Sequence, residues 1–77
     1  MALAVLGWIL SDTLRAERFL AVTGLTPDVL RASLDTRETQ AAVLEFLCAY
    51  EPDLIAAAES LDIAPATIAA ALQELQR

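Results

Sequence analysis

The chain has 77 residues, 57% of them hydrophobic and only 5% aromatic, with a formal charge of −6 and no histidine. A domain this short buries only about 60% of the surface its unfolded form exposes, but an Ala- and Leu-rich composition favours helix and excludes disorder. All five cations are arginines (Arg15, Arg18, Arg31, Arg37 and Arg77), and the acidic balance disfavours nucleic acid and anionic lipid while suiting solubility or a basic partner.

Ala2 to Leu10 (ALAVLGWIL) shows no polar face, so a first helix here is expected to be buried on nearly all sides. Its apolarity suits a signal-peptide core, but no basic segment precedes it and no small-residue cleavage site follows. It is also far short of the roughly 20 residues that span a bilayer. It therefore reads as a buried helix of a cytoplasmic protein, with no membrane partner.

Ser11 or Asp12 offers an N-cap for a second helix, about Thr13 to Thr23, with Leu14, Phe19, Leu20 and Val22 apolar and Arg15, Glu17 and Arg18 facing water. Gly24 suits the left-handed residue that ends it. Thr26-Pro27-Asp28 is a start signal: a hydroxyl cap, Pro at the first helical position and an acid in the first turn. The third helix runs to about Leu34, with Val29, Leu30 and Leu34 inward. Asp35 and Glu38, at capping-box spacing, open a fourth helix that reaches about Tyr50 and carries Val43, Leu44, Phe46 and Leu47. Glu51-Pro52-Asp53 breaks the chain and starts a fifth helix to Leu61. Ile63-Ala64-Pro65 starts the last, to about Gln76, with Ile68, Leu72 and Leu75 inward.

No stretch alternates with period two for long enough to form a strand. The fold class is all-α, a compact bundle of five or six short helices in one domain spanning residues 1–77. A displacement of 38 places Ala4-Val5-Leu6 on Ala42-Val43-Leu44, Trp8-Ile9 on Phe46-Leu47, and Leu25-Thr26-Pro27 on Ile63-Ala64-Pro65. Leu30 falls on Ile68 and Leu34 on Leu72. The middle helices match poorly, Leu14 meeting Leu54 only after a two-residue slip. The pattern predicts a tandem three-helix unit, about 2–34 and 40–72, with the first and fourth helices near a pseudo-twofold axis.

Chemistry finds little footing. Ser11, Ser33, Ser60 and Cys48 have no histidine to act as base. The acids sit at helix starts and on solvent faces, Glu51 and Asp53 being the closest carboxylate pair. No calcium loop, phosphate-binding glycine loop or Cys/His cluster is present. No catalytic, cofactor-binding or metal-binding residue is assigned, and an enzyme is not expected. Cys48 falls in an apolar helical run, where a thiol serves as a small buried hydrophobe, and a single cysteine fits a reducing compartment.

Ala58-Glu59-Ser60-Leu61-Asp62-Ile63-Ala64-Pro65-Ala66-Thr67-Ile68, followed by Leu72, resembles the helix-turn-helix of transcription regulators, with Asp62 where Gly is usual. A recognition helix must offer donors to phosphates and base edges, and Ala66 to Gln76 offers only Thr67, Gln73 and Gln76 beside the repelling Glu74. A helix hairpin used for packing is the favoured reading of this pattern, with a regulator as the alternative.

Arg18-Phe19-Leu20, Thr23-Gly24-Leu25, Pro27 and Leu30-Arg31, with Val43-Leu44, Phe46-Leu47 and the Glu51-Pro52 break before Leu54, look like a small alphaproteobacterial family called domain of unknown function 3572. That resemblance covers most of the chain. It implies a compact helical protein of the bacterial cytoplasm and brings no activity, cofactor or catalytic residue.

The functional expectation is a small non-enzymatic module that associates with itself or another protein through apolar surface around the first and fourth helices. Two helices with almost no polar face need more cover than so short a chain supplies. Leu3, Leu6, Trp8, Ile9 and Leu10 are the candidate contributors. The alternatives are a decayed or partner-dependent helix-turn-helix regulator and, more remotely, a carrier with an apolar small-molecule cavity between the repeats.

Overall fold

Side-chain caps open the second, third and fourth helices in the computed structural model, which describes residues 1–77. The elements are α1 (Ala2–Leu10), α2 (Thr13–Thr23), α3 (Pro27–Ala32), α4 (Arg37–Cys48), α5 (Glu51–Leu61) and α6 (Pro65–Leu75), with no strand. Asp12 Oδ1 accepts from the amides of Leu14 and Arg15 at 3.0 and 3.4 Å, satisfying donors that the first turn of α2 leaves free. Gly24 closes α2 at φ 73°. Thr26 caps α3 through Val29 N–H, and Thr36, rather than the expected Asp35, caps α4 through Thr39 N–H, each at 3.2 Å.

Helix α3 stops at Ala32, two residues before the expected Leu34. The reason lies in hydroxyl groups that compete with helical backbone pairing. Ser33 Oγ donates back to the Val29 carbonyl at 2.8 Å, Thr36 Oγ1 to the Ser33 carbonyl at 2.8 Å, and Thr39 Oγ1 to Ser33 Oγ at 2.7 Å. Thr39 is the one buried polar residue, and these bonds satisfy it. Helix α4 ends at Cys48, leaving Tyr50 as an exposed cap of α5.

Helix α4 is the hub. Helix α6 makes the most extensive helix–helix contact along it, α1 and α5 also pack on it, and α2 packs on α1. The core is one cluster in which Val5, Ile9, Phe19, Val43, Leu44, Leu47 and Ile68 are fully buried. Phe19 meets Phe46 edge-to-face at 5.3 Å between centroids, the arrangement aromatic quadrupoles favour. The inward expectation fails for Val29, which is exposed, as are Leu14 and Val22 among the apolar positions of α2, because nothing packs over the outer sides of α2 and α3.

The 38-residue displacement recurs in the helix boundaries. Helix α2, Thr13–Thr23, maps onto α5, Glu51–Leu61, with no slip. Gly24 maps onto Asp62, and both are left-handed, at φ 73° and 55°. Pro27 and Pro65 both open helices, and Val5/Val43, Leu6/Leu44, Ile9/Leu47 and Leu30/Ile68 are buried in pairs. The contacts do not follow suit. Helix α6 lies along α4 with no comparable contact between α3 and α1, and α5 packs on α1 with no comparable contact between α2 and α4.

Candidate interaction surfaces

Helix α1 is not buried all round. Ala2, Val5, Leu6 and Ile9 face the core, while Leu3 and Leu10 remain 59% and 44% exposed beside exposed Met1, Ala4 and Gly7. The reason is geometric: α2, α4 and α5 take up the inner side of α1, and no helix remains for the outer side. A Cβ built on Gly7 meets nothing within 4 Å, so the centre of this strip lies open. Of the five residues expected to form a surface, Leu3 and Leu10 therefore lie on it, Leu6 and Ile9 belong to the core, and Trp8 is half-buried.

Trp8 is covered by Arg15, whose guanidinium lies 3.6 Å from the ring centroid. Arg15 Nη2 donates to the Trp8 carbonyl at 2.6 Å and to Ser11 Oγ at 3.1 Å, and its side chain is only 16% exposed. Arg15 thus folds inward over the end of α1, against the expectation that it faces water. Its Nε finds no partner.

The second surface is a groove of about 760 Å³, open to solvent, between α2 and α4. Val22, Thr23 and Leu25 form one side; Glu38, Thr39, Ala42, Glu45, Phe46 and Ala49 form the other. Arg18 and Tyr50 close one end, with the Arg18 guanidinium 5.2 Å from the Phe46 ring and 5.3 Å from the Tyr50 ring, in cation–π range. Arg18 also forms an ion pair with Asp53 in the first turn of α5. The apolar cavity required by the carrier alternative has its nearest counterpart here, and it is an open trough.

The remaining candidates disperse. Asp53 is taken up by Arg18 while Glu51 stays exposed, so the closest carboxylate pair does not converge on one point. Cys48 is free and half-buried, its thiol pKa raised by burial and by the Glu45 carboxylate, which disfavours the reactive thiolate. No group of three or more His, Cys, Asp or Glu side chains is placed to hold a metal ion.

Helices α5 and α6 cross at 107°, within the helix-turn-helix range, and Asp62 takes the left-handed conformation that Gly would supply there. Arg77, the cation nearest the α6 terminus, is paired with Glu74 at 2.9 Å. No single helix is long and apolar enough to cross a membrane.

Fold and surfaces together define a six-helix all-α protein with two uncovered apolar faces. The chain belongs to the family described as Protein of unknown function (DUF3572), which matches residues 1–77. Neither the curated proteins nor the solved structures provide a match.

Arg18, Val22 and Tyr50 were not singled out from sequence. Their significance depends on a gap between α2 and α4, and no local pattern announces a gap.

Proposed function

We propose that this protein is a non-enzymatic interaction module of the bacterial cytoplasm that associates with a second copy through the outer face of α1. The observation that carries this reading is an exposed strip of Met1, Leu3, Ala4, Gly7 and Leu10 with no charged side chain among them. Contiguous exposed apolar surface of this kind usually marks an interface. A twofold pairing of two α1 helices would set the Leu residues of one strip against those of the other, with the open Gly7 position allowing close approach. The correspondence of the halves at 38 residues supports descent from a duplicated unit. Its breakdown in the contacts is what leaves apolar surface free.

Analytical ultracentrifugation tests the association. The expected result is a dimer at micromolar concentration, tightened by added salt because two chains of charge −6 repel. Leu3→Glu with Leu10→Glu is expected to give a monomer with unchanged circular dichroism. A strict monomer at high micromolar concentration ends the reading.

The 107° crossing and the mutual packing of α4, α5 and α6 favour a second reading, a partner-dependent helix-turn-helix regulator. DNA binding that falls steeply with salt would support it, and no binding at low salt would remove it.

A further inference from the structure

We infer that the groove between α2 and α4 receives an amphipathic, positively charged helix from a partner protein, a site separate from the α1 face. Its apolar lining (Val22, Leu25, Ala42 and Phe46) suits the anchors that one face of a helix presents at i, i+3, i+4 and i+7. Its charge selects the sign of the partner. Glu38 and Glu45 line the α4 side of the groove, both are exposed, and neither forms an ion pair within the chain. Arg18, the groove's only cation, is held by Asp53.

Glu38 and Glu45 stand seven residues apart on one helix, about 10 Å or two turns at 1.5 Å per residue. That spacing matches two cations placed two turns apart on a partner helix. Helix α4, at 12 residues, offers a track about 18 Å long, enough for roughly three turns of partner.

A second copy of this chain does not meet that requirement. Arg15 is stacked on Trp8, and Arg18, Arg31 and Arg77 are paired with Asp53, Asp28 and Glu74. Arg37 donates to the Arg77 carbonyl at 3.4 Å. No helix of the chain thus presents an apolar stripe flanked by free cations, and charges of −6 oppose each other.

The test uses the full chain and a fluorescein-labelled synthetic helix of Leu, Ala and Lys about 15 residues long, with leucines on one face and lysines two turns apart. A counter-probe carries Glu at every Lys position. Saturable anisotropy is expected with the lysine helix only, weakening as salt screens the charges. Amide shifts are expected at Val22, Leu25, Ala42 and Phe46. Glu38→Lys with Glu45→Lys should weaken binding at least about tenfold, as removal of complementary charge does. Val22→Asp, at an exposed position, should weaken it with the fold intact.

Leu3→Glu with Leu10→Glu should leave probe binding unchanged, which separates this site from self-association. The inference is overturned by absence of saturable binding at low salt. Equal binding of the acidic counter-probe, or undiminished binding by the Glu38→Lys, Glu45→Lys variant, overturns it too. So do shifts confined to α1, or conversion of a dimer to a monomer by Val22→Asp, which would assign the groove to a second copy.

Discussion

In the C-terminal half, α6 runs along α4 and α5 packs on α4 and α6. In the N-terminal half, α3 has six residues against the eleven of α6, makes no comparable contact with α1, and leaves the outer side of α1 bare. The same sites for left-handed residues and helix-opening prolines serve both halves, so these shared signals do not decide closure. Helix length does. The hydroxyl bonds of Ser33, Thr36 and Thr39 stop α3 at Ala32; Leu34 still packs against the core as its counterpart Leu72 does, but Arg37 stands where α6 has Leu75.

This comparison can be broken or sharpened by substitution at matched positions. Leu47→Ala in the hub helix should cost about 4 kcal/mol and Ile9→Ala, its counterpart 38 residues earlier, about 3 kcal/mol, since α1 has a free side and can move into the space left. Both residues are fully buried, so urea denaturation compares them directly. A larger loss at Ile9 would break the idea of a closed and an open half.

Next come the two left-handed residues. Gly24→Ala should cost about 1 to 2 kcal/mol, from the backbone alone, because a Cβ at φ 73° meets nothing within 4 Å. Asp62→Gly should raise stability by less than about 1 kcal/mol, relieving φ 55° while adding freedom to the unfolded chain. Thermal melts of the two variants should therefore move in opposite directions.

The smallest effect concerns Cys48, which corresponds to Leu10. Its thiol titrates above the ordinary value because of burial, then Glu45. Iodoacetamide should therefore alkylate the native chain more slowly than the urea-unfolded one at neutral pH. The sign of the stability effect follows: the raised pKa leaves full stability below the unfolded thiol's titration, and stability falls as pH rises through the folded value. Equal alkylation rates would show that α4 shields its terminus no better than α1 does.

Much of the fold was legible because its signals are local. Asp12, Gly24, Thr26 and the three prolines mark helix ends through hydrogen bonds and dihedral angles that depend on a few neighbouring residues. The all-α class followed from the absence of any period-two run. Sidedness was harder to read. Apolarity predicted that α1 would be enclosed, but enclosure depends on how many helices are left to cover it, a property of the whole chain. Arg15 misled for a related reason. Long arginine side chains fold back over aromatic rings, so a charged head does not require a solvated side chain. The groove was illegible because it is a missing contact.

Helix α4 as hub has a consequence in time. Synthesis proceeds from the N-terminus, so α1, α2 and α3 are all made before the helix they need as a core exists. At about 5 to 20 residues per second, α1 waits on the order of seconds before α4 follows it. Through that interval Val5, Leu6 and Ile9 have no partner on α4. The chain is most prone to aggregate before its second half is complete, and the contacts of α4 with α5 and α6, short in sequence, are suited to form quickly once it is.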